Sequence, residues 1–236
     1  MRYPVPDLPA GEWQESELDV EKSRFITWLC HAPELATFEA LLAEARRRHP
    51  AASHHCSAFI AGPPGEQAAI GFSDDGEPGG TAGRPMYRVL EGSGLGQVGC
   101  VVTRYFGGTK LGTGGLARAY AQAVAQGLER LPHRQVVERT PRLLQVAFAG
   151  EAEARSWLAS REIPVEAADY AADGVVLTVG WPSDTPVDLG ELESRLRGRL
   201  TLCWRADAPP SRTHRANGAP RGAVCVTVPT SLSPGT

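Results

Sequence analysis

The run RYFGGTKLGTGGLARAY at residues 104–120 holds the densest set of groups that could do chemistry. Gly112, Gly114 and Gly115 bracket Thr113 just ahead of an alanine-rich helical stretch. Glycine tolerates positive φ and a close backbone approach. Thr113 is a candidate N-cap. Amides exposed at a helix start, aided by the helix dipole, attract anions. Lys110 lies just before that start, and Arg118 lies near the first turn. A cation there opposes the dipole, unless it faces a phosphate or carboxylate. Arg104, Lys110, Thr113, Gly114, Gly115 and Arg118 are therefore the candidate anion-binding set. The competing reading is a plain strand-to-helix turn in which Arg104 pairs with Asp74 or Asp75. A Walker loop is excluded, because no Gly-Lys-Ser/Thr follows four spacer residues. A dinucleotide fingerprint is excluded too, because no acid sits at a second strand end.

The second candidate is the loop SDDGEP at residues 73–78. Asp74, Asp75 and Glu77 could hold Mg²⁺ or Ca²⁺ through oxygen. One of His54 or His55 could join them, and such a site would suit a metal-dependent hydrolase acting on a small phosphorylated or peptide substrate. His54 and His55 cannot chelate one ion together, because neighbours in a strand point to opposite faces. The favoured alternative is a turn whose aspartates bond local amides and anchor Arg104 or Arg84. An EF-hand is excluded by the missing alternating acids and terminal Glu. There is no HExxH or CxxC pattern and no Ser-His-Asp spacing, so nothing argues positively for hydrolysis. No catalytic residue and no cofactor are expected. Cys30, Cys56, Cys100, Cys203 and Cys225 form no CxxC pair and are odd in number, which suits buried free thiols in a reducing compartment. Cys56 beside His54 and His55 is the alternative, a reactive thiol, and the core reading is favoured.

The elements that must position these groups alternate. Residues 22–29 read as a strand, residues 33–49 as a helix closed by Arg46, Arg47 and Arg48, and residues 55–61 and 68–73 as strands around Gly62-Pro-Pro-Gly65. A helix follows at 84–91. Residues 97–106 carry apolar side chains on both faces, the mark of a covered central strand. Residues 116–131 form the next helix. Residues 133–141, polar and basic with proline at both flanks, read as a linker, and residues 1–20 as an N-terminal extension. Residues 142–205 follow the order β-α-β-β-α-β, that of a ferredoxin-like domain. Residues 206–236, with five prolines, read as a disordered tail. The class is α+β with two domains.

Charge is uneven although the net is only −3. Residues 1–21 hold six acids against Arg2, and residues 101–142 hold seven basic residues against Glu129 and Glu138. An anionic partner should dock on the latter. The N-terminus lacks an apolar leader and no run approaches a membrane span, so a cytoplasmic location with no membrane partner is expected.

Six motifs in order, KSRF at 22–25, HHC at 54–56, FSDDGEP at 72–78, TAGRPM at 81–86, VTRYFGG at 102–108 and LGTGGL at 111–116, resemble those of the YigZ/IMPACT family, in its bacterial YigZ-type branch. The resemblance covers roughly residues 21–131. It implies a two-layer β-α first domain like domain IV of elongation factor G and ribosomal proteins, and a ferredoxin-like second domain like domain V of that factor. It further implies a non-enzymatic protein that binds RNA or the ribosome and is linked to regulation of translation. Eukaryotic members bind a kinase-activating partner through an additional N-terminal domain, for which this chain has no room, so that partner is not expected here.

Overall fold

The computed structural model describes residues 1–65, 70–196, 200–204 and 224–225, the last two segments by backbone alone. The chain divides at Val136/Val137 into two compact units, with Met1 belonging to the second.

In the first unit, β1 (Arg2–Pro6) pairs with β7 (His133–Val137), and five strands form the main sheet in the order β2-β3-β6-β4-β5. These are β2 (Gln14–Val20), β3 (Ser23–His31), β4 (His54–Ile60), β5 (Ile70–Ser73) and β6 (Val98–Tyr105), all antiparallel to their neighbours. Residues 1–20, expected as an N-terminal extension, contribute the two strands β1 and β2. In β2, Ser16, Leu18 and Val20 alternate with Glu15, Glu17 and Asp19, so one edge faces the sheet's apolar side while the acids face water.

Alternation along β3 feeds two cores. Phe25 and Leu29 join Cys56, Ile60, Val98, Cys100 and Val102 under α2 (Gly83–Ser93) and α3 (Gly112–Leu128), which contribute Met86, Leu90, Leu116, Tyr120 and Val124. Ile26, Trp28 and Cys30 join Val101 under α1 (Leu35–Arg48), with Phe38, Leu41 and Ala45. The sheet is therefore covered on both faces, where two layers were expected. The apolar residues of β3 and β6 that alternate outward would otherwise lie in water. Cys30, Cys56 and Cys100 are buried free thiols.

The second unit has the strand order β12-β11-β8-β10-β9. Its strands are β8 (Arg139–Val146), β9 (Val165–Tyr170), β10 (Val175–Pro182), β11 (Leu200–Trp204) and β12 (Val224–Cys225). Helices α4 (Glu151–Ala159) and α5 (Gly190–Leu196) close a core of Leu144, Val146, Trp157, Leu158, Leu177, Val179 and Leu192. Up to β11 the chain order is β-α-β-β-α-β. Most of the expected tail lies outside the described residues, and β12 pairs with β11. The stretch read as a linker is also strand. β7 pairs with β1, and β8 starts early because Arg139 to Pro141 register against Pro182 to Gly180. Its polar side chains gave no sign of that pairing. No described helix is long and apolar enough to cross a membrane.

Candidate functional site

The acidic loop is a brace. Asp75 and Gly76 take φ of 44° and 86°, and the Glu77 amide donates to the Asp74 carbonyl at 2.9 Å, closing a tight turn. The Asp74 carboxylate accepts the amides of Gly80, Ala82 and Gly83 at 2.7, 2.9 and 2.8 Å, which supplies the acceptors that the start of α2 lacks. Partial burial raises the pKa of Asp74, and the three amide donors outweigh it, leaving the group below its ordinary range. Asp75 accepts the His55 amide at 2.6 Å and pairs with Arg46 at 3.0 Å.

The turn sends Glu77 inward. Its Oε1 accepts from Arg104 Nη1 at 2.6 Å and from the Tyr120 hydroxyl at 2.8 Å. Arg104 Nη2 donates to Ser23 Oγ at 3.3 Å, and its guanidinium lies 5.5 Å from the Phe25 ring centre. Glu77 and Arg104 are only 8% and 5% exposed. Arg104, expected to face an external anion, is thus neutralised internally, and its partner is neither Asp74 nor Asp75. The covered position of β6 dictates this, since a side chain on a central strand beneath α3 must find its counter-charge inside.

Cys56 Sγ lies 3.2 Å from the Tyr120 hydroxyl and 3.0 Å from the Asp74 carbonyl. Burial pushes its thiol up to about 12, the opposite of what a reactive thiolate needs. His54 Nδ1 lies 2.8 Å from the Asp75 carbonyl, so that nitrogen carries the proton, and Nε2 lies 3.9 Å from Glu77 Oε2. His55 points to the other face, with Nδ1 3.1 Å from Thr103 Oγ1, and burial lowers its pKa. His54, His55, Asp74, Asp75 and Glu77 therefore do not converge as metal ligands. The carboxylates already serve amides, Arg46, Arg104 and Tyr120. Among the described residues, no three His, Cys, Asp or Glu are grouped to hold a metal ion.

The surface over α2 and α3 is different. Gly112, at φ 69°, turns the chain so that α3 starts a full turn ahead of the expected Leu116, with Leu111 as its N-cap and no side-chain capping bond. Thr113 lies inside the first turn and does not cap. Gly114 and Gly115 share that turn, which contains no acid. Lys110 and Arg118 are exposed, and both line a cavity of about 450 Å³ with Thr109, Leu111, Gly115 and Glu21. The Arg118 guanidinium folds back toward the helix start, its Nη1 3.6 Å from where a Cβ on Gly114 would stand. Arg118 also borders a groove of about 410 Å³ against α2, shared with Gly80, Arg84, Pro85, Arg88 and Ala117.

Arg84 and Arg88 belong with this set, although the sequence singled out neither as a ligand-binding residue. The signal was available, two arginines four apart on the outer face of the helix expected at 84–91. All four cations are exposed, and among the described residues none has an ion pair. The result is a solvent-facing cationic strip running from α2 across to the start of α3. It is suited to holding oxyanions by hydrogen bonds and charge.

The first unit is thus an antiparallel sheet with helices on both faces, a buried charged brace and an open cationic helical surface. Residues 21–128 match the Impact N-terminal domain. The chain is 40% identical over 199 residues to the Escherichia coli IMPACT family member YigZ, covering 84% of this chain and 95% of that protein. It is 51% identical over 124 residues to an IMPACT family member of Haemophilus influenzae, covering 52% of this chain and 60% of that protein. A solved crystal structure of a hypothetical protein superposes with a TM-score of 0.64 at 37% identity, covering 85% of this chain and 96% of the other. The chain belongs to the IMPACT family.

Proposed function

We propose that the first unit is a non-enzymatic RNA-binding module, engaging phosphates of cellular or ribosomal RNA and serving the regulation of translation. The observation that carries this reading is the set Arg84, Arg88, Lys110 and Arg118, with no ion pair among the described residues, beside the start of α3, which no side chain caps. Four exposed cations with no ion pair among the described residues raise the local positive potential and attract a polyanion. The set differs from the one expected from sequence in two respects: Arg104 drops out, and Arg84 and Arg88 enter.

Two features of the chain support a translation-linked setting. The β-α-β-β-α-β order with strands arranged β11-β8-β10-β9 suits a ferredoxin-like domain similar to domain V of elongation factor G. Family membership accords with pairing it to a domain IV-like first unit, and with a place in the cytoplasm.

The test is RNA binding across a salt series. Wild-type affinity should fall steeply with salt. A triple Arg84→Ala/Arg88→Ala/Arg118→Ala variant should bind more weakly, with a log–log slope shallower by about two, at ~0.7 per phosphate on a single strand. Equal and salt-insensitive binding by both proteins would remove the reading.

A further inference from the structure

We propose that the strip takes single-stranded rather than duplex RNA, with one base stacked on Phe72. The proposal rests on the RNA reading above and adds the form of RNA that the site selects.

Phe72 lies on β5, the outer strand of its sheet, and is 48% exposed. Its ring does not fold into the core beneath it. It leans on Tyr87 of α2, with centroids 5.7 Å apart and planes 33° from parallel. Tyr87 is held in turn, because its hydroxyl donates to Glu91 Oε1 at 3.0 Å. The pair is therefore a supported aromatic surface with apolar area open to water. An open ring face of this kind can take a stacked partner.

Its position relative to the cations gives it meaning. With 3.6 residues per turn, α2 turns Tyr87 toward β5, Arg84 and Arg88 outward, and Pro85 and Val89 toward α3. The surface thus reads, from the sheet edge inward, as aromatic ring, the Glu91 carboxylate that Tyr87 holds, two arginines, groove, then Arg118. The Glu91 carboxylate, one turn on from Arg88 and bonded to the Tyr87 hydroxyl, repels phosphate beside the rings, so the backbone of a bound strand keeps to the Arg84 and Arg88 side and only a base reaches Phe72. An A-form duplex keeps its base faces stacked inside and offers phosphates and 2′-hydroxyls, for which a flanking phenyl ring has no use. An unpaired strand can lay phosphates on the arginines and turn a base onto the ring.

The experiment measures binding of the full chain to a labelled oligoadenylate and to an RNA duplex of the same length, by fluorescence anisotropy over a salt series. The single strand should bind tighter. Phe72→Ala and Phe72→Leu should each weaken oligoadenylate binding roughly tenfold, leave the duplex unaffected and leave the salt slope unchanged. Phe72→Trp should preserve binding. The exposed position makes all three variants compatible with folding. Equal affinity for both RNA forms, or Phe72→Leu binding like wild type, overturns this inference while leaving the phosphate reading standing. The absence of salt-sensitive binding to either RNA overturns both.

Discussion

Arg104 and Arg118 come from one glycine-rich run, and the fold gives them opposite fates. Arg104 lies under α3, held by Glu77 and Ser23 in a cluster that extends through Tyr120 to Cys56. Arg118 lies on the outer side of that helix, exposed, with no ion pair among the described residues. In the buried cluster every charge answers another, and the product is a fixed loop and a fixed start of α2. On the open strip the cations have no ion pair among the described residues, and the product we propose is affinity for an external anion. Residue type does not separate these roles. The face of the element and the dielectric around it do.

The sharpest way to break this contrast is to remove one partner of the buried pair. Arg104→Ala leaves Glu77 buried without its cation and should cost about 3–5 kcal/mol of stability, read by denaturant unfolding. A double Glu77→Gln/Arg104→Met variant should recover much of that loss. Near-native stability of Arg104→Ala would show that the cluster is hydrated and that Arg104 is available to ligands.

A smaller effect is expected at Asp74. Asp74→Ala removes the acceptor for three amides and should cost about 1.5–3 kcal/mol, toward the lower end because the site is partly exposed. Its folded pKa is depressed, so the stabilisation is fully present above the unfolded value of about 3.9. It is lost as pH falls through the lower folded value. The stability gap between wild type and variant should therefore close on acidification below about pH 4. A gap that persists unchanged at lower pH would mean the carboxylate's charge is not what holds the loop.

The smallest effect on stability belongs to the strip. Arg118→Ala should change unfolding free energy by no more than about 0.5 kcal/mol, while the salt slope of RNA binding falls by about 0.7. Removing a cation that opposes the α3 dipole could even stabilise the fold slightly. A large destabilisation would place Arg118 in the brace and erase the distinction.

How much of this was legible in the sequence differs by element. β6 was readable as a covered central strand because apolar residues occupy both of its faces, and α1 and most of α3 because their apolar residues recur at helical spacing. β1, β2 and the first part of β8 were not. Their pairing partners are distant in the chain, and backbone hydrogen bonding leaves no mark on polar side chains. At the site, Lys110 and Arg118 were found from their place beside the glycines. Arg84 and Arg88 were passed over, because an exposed arginine pair on a helix is unremarkable until a second helix is laid beside it.

By itself the sequence determined which segments are helix or strand wherever the period was strong, where the glycines permit turns, and which cations and acids exist to be used. Only the tertiary structure decided which charges meet. The turn at Asp75 and Gly76 drives Glu77 under α3, where it meets Arg104 of the central strand, so the two neutralise each other. Among the described residues the arginines on the outer faces of α2 and α3 have no ion pair for the same reason: charge pairing is set by distance and burial, and both are properties of the packed chain rather than of residue order.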